Sequence, residues 1–541
     1  MLRSSPTRYD FYQGEQAAYI STLNSVWRWE CQKGACQKVL ITNETDDSIL
    51  SLSECRLFCA ESGAIWPKPT GEVSLGSYLA ELNINSIDVE GAKTDSPVFA
   101  LVKAAGKVFK EEIQQVIPSN VNVKGGKSLF VTVDISNPNI TERSLVTDES
   151  YTLKISESSD GRLNALITAA TFFGARYGLV TLSQLVIFDD IRNKLKIPRD
   201  FLVTDSPAYP YRGILLDTSR NYVTVDTIKR TLRGMGASKL NTFHWHITDS
   251  HSFPYVSKSR PELSKYGAYA SNKVYSPEDV AEIIQYGKVR GIRILPEFDA
   301  PAHVGEGWQN TDLVTCFNWQ PWQNYCVEPP CGQFDVTKDG VYEAIEDIYG
   351  DMIEQFQPDM FHMGGDEINF SCWNSTENIV QWMEKKGWNR TEEGFIKLWD
   401  YFQSQALEKV LKKAGKEIPI VMWTMWTKGD DSQITDLLEG GYKLILSNYD
   451  ALYLDCGFAG WVTDGNNWCS PYIGWQKIYE NKPATIVGTK TDQVLGSEAA
   501  LWTEQADSTS IDSRLWPRSA AMAEVLWSEP STGWAVAEQR F

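Results

Sequence analysis

The chain is 541 residues long, carries a formal net charge of −19, and contains 42% hydrophobic residues and 20 tryptophans. That length exceeds one ordinary domain, so two or three are expected, and the acidity argues against nucleic acid and anionic membranes as partners. No apolar run of about 20 residues occurs, which removes a membrane-spanning helix from consideration.

In chain order, residues 1–26 read as an atypical leader: Arg3, Arg8, Asp10 and Glu15 leave no apolar core for a signal peptide. Residues 27–65 form a small segment that bears cysteines. The ten cysteines fall into close pairs or clusters, Cys31 with Cys36, Cys55 with Cys59, Cys326 with Cys331 and Cys456 with Cys469, leaving Cys316 and Cys372 over. An even count at short spacing predicts disulfides and an oxidising compartment; zinc is the weaker reading because no Cys-x-x-Cys or Cys-x-x-His pair occurs. Glycosylation sequons at Asn43, Asn139, Asn374 and Asn389 agree with secretion. From 66 to about 206 strand-like and helical patterns alternate: Ser128–Val133 and Glu149–Ile155 read as strands and Ala165–Leu185 as an apolar helix. This predicts a compact α/β support domain over 27–206, with the boundary at Asp205-Ser206-Pro207.

From 207 to 541 strands and helices alternate, with strands beginning near Tyr211, Asn241, Ile292, Met360, Ile418, Lys443 and Val494 and helices such as 276–290 and 393–414 between them. Repeated β-α units in this number predict a parallel TIM-type barrel. Polar and aromatic residues crowd the strands' carboxyl ends: Asp217 and Arg220, Asp249, Glu297 and Asp299, Asp366 and Glu367, Trp423, Tyr453 and Asp455, Trp502 and Glu504. That is the face where such barrels place their active sites. The sharpest signal is Phe361-His362-Met363-Gly364-Gly365-Asp366-Glu367, where a buried strand exits through two glycines into adjacent carboxylates. Two acids there are costly to bury unless they work or are paired, so they predict a pocket in which two carboxyl groups have different tasks. A helix-capping turn is the bland alternative. The five histidines all fall between 244 and 362; without an HExxH spacing they do not predict a metal site, and His244, His246 and His362 read as core or supporting residues.

With HMGGDE go HWHITDSHSFP, LDTSR and PEFDAPAH. Together these motifs resemble the glycoside hydrolase family 20 β-N-acetylhexosaminidases over essentially 27–541. The pattern Cys316…Trp322…Val327, with Asp464-Gly465-Asn466-Asn467-Trp468-Cys469, resembles the insect chitinolytic members most. The resemblance implies an α/β domain before a catalytic (β/α)8 barrel, no cofactor, and exo-acting, retaining hydrolysis of terminal β-linked GlcNAc. In that chemistry the substrate's 2-acetamido oxygen is the nucleophile. It implies Glu367 as general acid and base, Asp366 as the group that orients the acetamido N–H, Tyr453 as its alignment partner, and Asp249 with His303 as the pair supporting the acid. It implies Arg220, Asp455 and Glu504 as holders of sugar hydroxyls, Trp423, Trp426 and Trp502 as walls of the terminal-sugar pocket, and Trp468 with Val327 around the next sugar. For Trp322 core packing and ligand contact stay equally open. The implied partner is a chito-oligosaccharide or other GlcNAc-terminated glycan, with a homodimer allowed and a secreted setting, lysosomal as the alternative.

Three departures stand against the pattern. The export signal is absent, the carboxyl terminus is short at Arg540-Phe541, and the β-α unit between Trp423-Thr424 and Trp426-Thr427 is missing, so seven strands are expected where the family has eight. Residues three apart on one strand point to opposite faces, so Trp423 and Trp426 cannot both line the pocket from a single strand. An inactive carbohydrate-binding relative and an enzyme of glycoconjugates remain the alternatives.

Overall fold

The structure, a computed structural model, describes residues 25–42, 49–415, 422–423, 427–462 and 467–541. It opens with a hairpin, β1 (Trp27–Gln32) and β2 (Ala35–Leu40), packed on helix α1 (Leu52–Cys59). Here the expected cysteine pairing is corrected: the bridges are Cys31–Cys59 and Cys36–Cys55, with Cys316–Cys372, Cys326–Cys331 and Cys456–Cys469 completing the set. Cys31 and Cys36 stand opposite each other in the hairpin register, so they share one face. Cys55 and Cys59 share one face of the helix. Each neighbouring pair therefore looks across the interface, and the two bridges staple hairpin to helix.

Next comes a mixed eight-stranded sheet in the order β3-β10-β6-β7-β5-β4-β9-β8. Its strands are β3 (Val73–Leu75), β4 (Leu79–Glu90), β5 (Lys127–Ile135), β6 (Tyr151–Glu157), β7 (Leu163–Ala169), β8 (Ile187–Asp189), β9 (Lys194–Pro198) and β10 (Phe201–Asp205). In β5 the alternation Leu129, Val131, Val133 points inward, as period 2 requires. The helix read over Ala165–Leu185 is a second correction. Leu163–Ala169 is strand β7, paired with β5 and β6, and the helix spans only Phe172–Gln184, after Thr171 caps Gly174 N–H. Alternating Leu163, Ala165 and Ile167 fit a half-buried strand, which the continuous apolar run disguised. The Phe172–Gln184 helix is buried over most of its surface, as its all-round apolar sequence demands.

The parallel strands of the barrel follow: β11 (Tyr211–Asp217), β12 (Thr242–Thr248), β13 (Arg293–Phe298), β14 (Met422–Trp423), β15 (Leu444–Leu446) and β16 (Val494–Leu501). They run in the order β13-β12-β11-β16-β15-β14. His362 bridges Glu297 in parallel, which sets Met360–Met363 beside β13 as a further position. Among the described residues seven strand positions thus surround the core. Among the described residues no ladder joins Met360–Met363 to β14. Helices at Pro277–Val289, Asp339–Phe356 and Glu392–Ala414 cover the outside.

The sheet unit and the barrel interlock through buried charge. Glu149 receives Arg212 from β11 at 2.6 Å and Arg143 at 2.8 Å. Asp205 receives Lys239 at 3.0 Å, the indole N–H of Trp527 at 2.9 Å and the hydroxyl of Tyr151 at 2.7 Å. All of these side chains are essentially excluded from water. Lone buried ions are untenable, so while the interface stays closed neither side can lose its charged partner without stranding the other.

Candidate active site

The loops leaving the strands' carboxyl ends enclose a cavity of about 570 Å³, within the range of small-ligand sites. Arg220, His303, Val327, Asp366, Glu367, Tyr453, Asp455, Trp468, Trp502 and Glu504 all line it. Asp249 stands behind the wall, and Trp322 is not among the lining residues. For Trp423 only the backbone in β14 is described, and Trp426 lies outside the described residues.

The Gly-Gly pair has steric work at the exit of Met360–Met363. Both glycines adopt positive φ, 61° at Gly364 and 119° at Gly365. A Cβ on Gly364 would stand 1.8 Å from Asp299 Oδ1, and one on Gly365 would stand 2.1 Å from Gln403 Nε2. Only glycine fits. The Gly365 N–H donates to Asp299 Oδ1 at 2.8 Å, which locks the turn against the end of β13. Glu367 and His303 themselves have positive φ, 52° and 58°, and such backbone strain persists only where the surroundings impose it.

Behind Glu367 stands His303, whose Nε2 lies 3.4 Å from Glu367 Oε2 and whose Nδ1 lies 3.1 Å from Asp249 Oδ2. Burial pushes the Glu367 carboxyl up to about 7; His303 pulls it back, and Asp366 and Glu328 add to the rise. The group therefore keeps a proton in a range where an ordinary glutamate has lost it. Burial likewise raises Asp455 to about 7, and its Oδ1 is buried with no hydrogen-bond partner among the described residues. Arg220 binds Asp249 Oδ2 at 3.0 Å and Glu328 Oε1 at 2.7 Å and stands 3.8 Å from Glu504, with its guanidinium over Trp502. Burial, and then the charges of Glu328 and others, raise Glu504 well above its usual range. Tyr453 is buried, its ring 6.1 Å from that of Trp468 and 6.4 Å from that of Trp502. At the mouth Val327 and Trp468 are half exposed, each on a loop closed by a disulfide, Cys326–Cys331 and Cys456–Cys469.

The sequence reading missed Glu328, Trp461 and Asn467 in the lining. Glu328 meets Arg220 from a loop more than 100 positions away, so no local spacing announces it. Asp299 was visible as a strand-end acid, but its bond to Gly365 was not. Beneath the pocket, His244, His246 and His362 converge on the carboxylate of Glu297. Their 2.5–2.9 Å separations are those of charge-assisted hydrogen bonds and ion pairs.

The arrangement offers a protonated acid beside a second carboxylate, a buried phenol, polar groups for a polyol and flat aromatic walls. Residues 209–530 match the glycosyl hydrolase family 20 catalytic domain, and residues 65–185 match a β-acetyl hexosaminidase-like domain. The chain is 52% identical to the chitooligosaccharidolytic β-N-acetylglucosaminidase of Ostrinia furnacalis, over 96% of this chain and 91% of that one. It is 51% identical to the Bombyx mori protein of the same name, over 96% and 90%. Among solved structures it resembles the Flavobacterium johnsoniae chitobiase with a TM-score of 0.69 at 25% identity, covering 88% of this chain and 71% of that one.

Proposed function

Because the chain belongs to glycosyl hydrolase family 20 and is an exo-acting β-N-acetylhexosaminidase, we propose that it removes terminal GlcNAc from chito-oligosaccharides and that the lining residues divide the work as follows. The terminal sugar enters the cavity with its 2-acetamido group toward Tyr453 and Asp366. Glu367 gives its proton to the glycosidic oxygen while the acetamido carbonyl oxygen attacks C1 and displaces the leaving sugar. Asp366 accepts the acetamido N–H and stabilises the positive charge of the resulting oxazolinium ring. The Tyr453 hydroxyl donates to the acetamido oxygen and aligns it. Glu367, now a carboxylate, takes a proton from water, which attacks C1 and reopens the ring with net retention.

The observation that carries this reading is the juxtaposition of a carboxyl group held protonated to about 7 with a second carboxylate in one cavity. Arg220, Asp455 and Glu504 hold hydroxyls of the terminal sugar, Asp249 and His303 orient the acid, and Trp502 walls the pocket. The exposed Trp468 and Val327 face the next sugar, which favours oligomers. The wall roles of Trp423 and Trp426 remain proposals from resemblance alone. Residues 27–206 form the support domain in this proposal and 207–541 the catalytic one.

Release of p-nitrophenol from p-nitrophenyl N-acetyl-β-glucosaminide tests the activity; no turnover would sink it. Tyr453→Phe is expected to lower kcat about a hundredfold with little change in KM, since the phenol acts on the attack geometry; an unchanged kcat would remove Tyr453 from its role. Trp468→Ala is expected to raise KM for chito-oligosaccharides about tenfold, the value of one lost aromatic face. The aryl glycoside, lacking the second sugar, should feel less; equal effects on both substrates would remove the subsite.

Among the described residues no helix is long and apolar enough to cross a membrane. All ten cysteines are bridged, and Asn139 and Asn389 are exposed for glycan attachment, both of which support passage through an oxidising secretory compartment. The homodimer allowed by resemblance is checked by sedimentation of the purified chain.

A further inference from the structure

The barrel core beneath the pocket is ionic where such barrels usually stack Val, Ile and Leu. We infer that Glu297 is a positioning residue for the hydrolysis. Its carboxylate clamps a buried column of alternating acids and imidazoles, Glu498–His244–Glu297–His246–Asp249–His303, that holds the His303 Nε2–H against Glu367. This rests on Glu367 being the acid proposed above.

The column can be followed atom by atom. Glu498, on β16, accepts the Tyr211 hydroxyl on one oxygen and stands 2.9 Å from His244 Nδ1 with the other. His244 Nε2 lies 2.9 Å and His246 Nδ1 lies 2.7 Å from Glu297 Oε2. His246 Nε2 lies 2.9 Å from Asp249 Oδ2, the same oxygen that faces Arg220 at 3.0 Å and His303 Nδ1 at 3.1 Å. His303 Nε2 then faces Glu367. Four strands of the barrel contribute, since His362 also reaches Glu297 Oε1, at 2.5 Å.

His246 has a carboxylate at each nitrogen, so both nitrogens must carry hydrogen. The ring is an imidazolium fixed in place by two acceptors. Asp249 is oriented in turn, and with it the tautomer and aim of His303. Glu297 is 2% exposed and has no water to replace a lost partner. The remaining charged or titratable groups around it are Asp299, at the end of its own strand, and Tyr349 on the Asp339–Phe356 helix. Around Glu367 they are His303, Asp366, Glu328 and Tyr453.

Glu297→Gln keeps the shape and removes the charge. His244 Nε2 and His246 Nδ1 share the one oxygen Oε2, which the amide can keep, but a neutral acceptor no longer balances a second cation there, so His246 gives up a proton. Asp249 loses a cationic partner and His303 loses its fixed aim. The positive charge lost lies nearer Glu367 than the negative charge lost with it. The expected result is a kcat about tenfold lower, KM within about twofold, and a basic limb of the pH–rate profile moved to higher pH. Glu498→Gln, at the far end and outside the cavity, should move the profile the same way by less. Glu149→Gln, equally buried but off the column, should lower Tm and leave the profile in place. If the Glu297 and Glu498 variants lose Tm but keep the wild-type kcat and profile, the column is packing only and the inference falls. Should neither variant fold, nitrogen NMR of the histidine-labelled wild-type protein, which has five imidazoles, decides. His246 doubly protonated at pH 6 is expected, and a neutral ring there overturns the column. An inactive Glu367→Gln with an unaltered Glu297→Gln sinks this inference alone, whereas an active Glu367→Gln sinks the reading beneath it.

Discussion

Glu367→Gln is expected to lower kcat on p-nitrophenyl N-acetyl-β-glucosaminide by about 10³-fold, the scale of a lost general acid. The loss should shrink on a dinitrophenyl leaving group, which departs without a proton; equal losses on both would show that Glu367 does not protonate the leaving oxygen. The wild-type rate should fall as pH rises through about 7, where the buried carboxyl gives up its proton. The same substitution has a signature in stability. The folded-state value of about 7 lies above the ordinary 4.5, so between these values the folded chain holds a proton that the unfolded chain has released. Stability therefore falls with rising pH across that window, by roughly 3 kcal/mol in all. The amide of the Glu367→Gln variant has no such proton, so the variant should lack this slope and be the more stable protein above pH 7. Paired denaturation curves at pH 5 and pH 8 check it, and an identical slope in both proteins would refute the buried acid.

The second large effect is expected far from the cavity. Glu149→Gln leaves Arg143 and Arg212 without the anion that both reach, in a site closed to water. Breaking a buried ion pair from one side typically costs about 3–5 kcal/mol. A denaturant midpoint unchanged within error would show that the interface does not depend on this carboxylate. The pH dependence has the opposite sign from that of Glu367. Burial alone would raise Glu149, but the two guanidiniums outweigh it and hold the carboxyl at about 2, below the ordinary 4.5. Its contribution is complete above about 4.5 and is lost as pH falls toward 2. Acid should therefore loosen the contact between sheet unit and barrel, whereas alkali weakens the site around Glu367.

Much of this was legible in the residues. The strand-end acids, the Gly-Gly turn and the seven strand positions follow from periodicity and glycine chemistry, and ten of the candidate residues meet in one cavity. The failures have local causes. The Leu163–Ala169 strand hid in an apolar run continuous with the next helix, and there short-range hydropathy cannot separate period 2 from period 3.6. The crossed bridges Cys31–Cys59 and Cys36–Cys55 depend on hairpin and helix each turning both cysteines to one side, a fact of pairing register and not of spacing. Glu328, Glu297 and Glu498 become meaningful only beside cations brought from other strands. A sequence displays its acids but not their partners. The supporting histidines read as bland core residues in the sequence, and their convergence on one carboxylate is a property of the barrel's cross-section.

The buried contacts between sheet unit and barrel also set an order of events on the ribosome. Glu149 and Asp205 emerge before Arg212 and Lys239, and Trp527, whose indole closes over Asp205, comes 322 residues after it. Until the first barrel residues emerge, the nascent sheet holds Arg143 for Glu149 but neither Arg212 nor Lys239, and Asp205 has no cation. Hydrated and ionised, these acids keep that face open and soluble while the barrel is being made. The sheet thus waits as a half-finished template, and translation of the Arg518–Ser528 helix, which carries Trp527, supplies the last of these contacts.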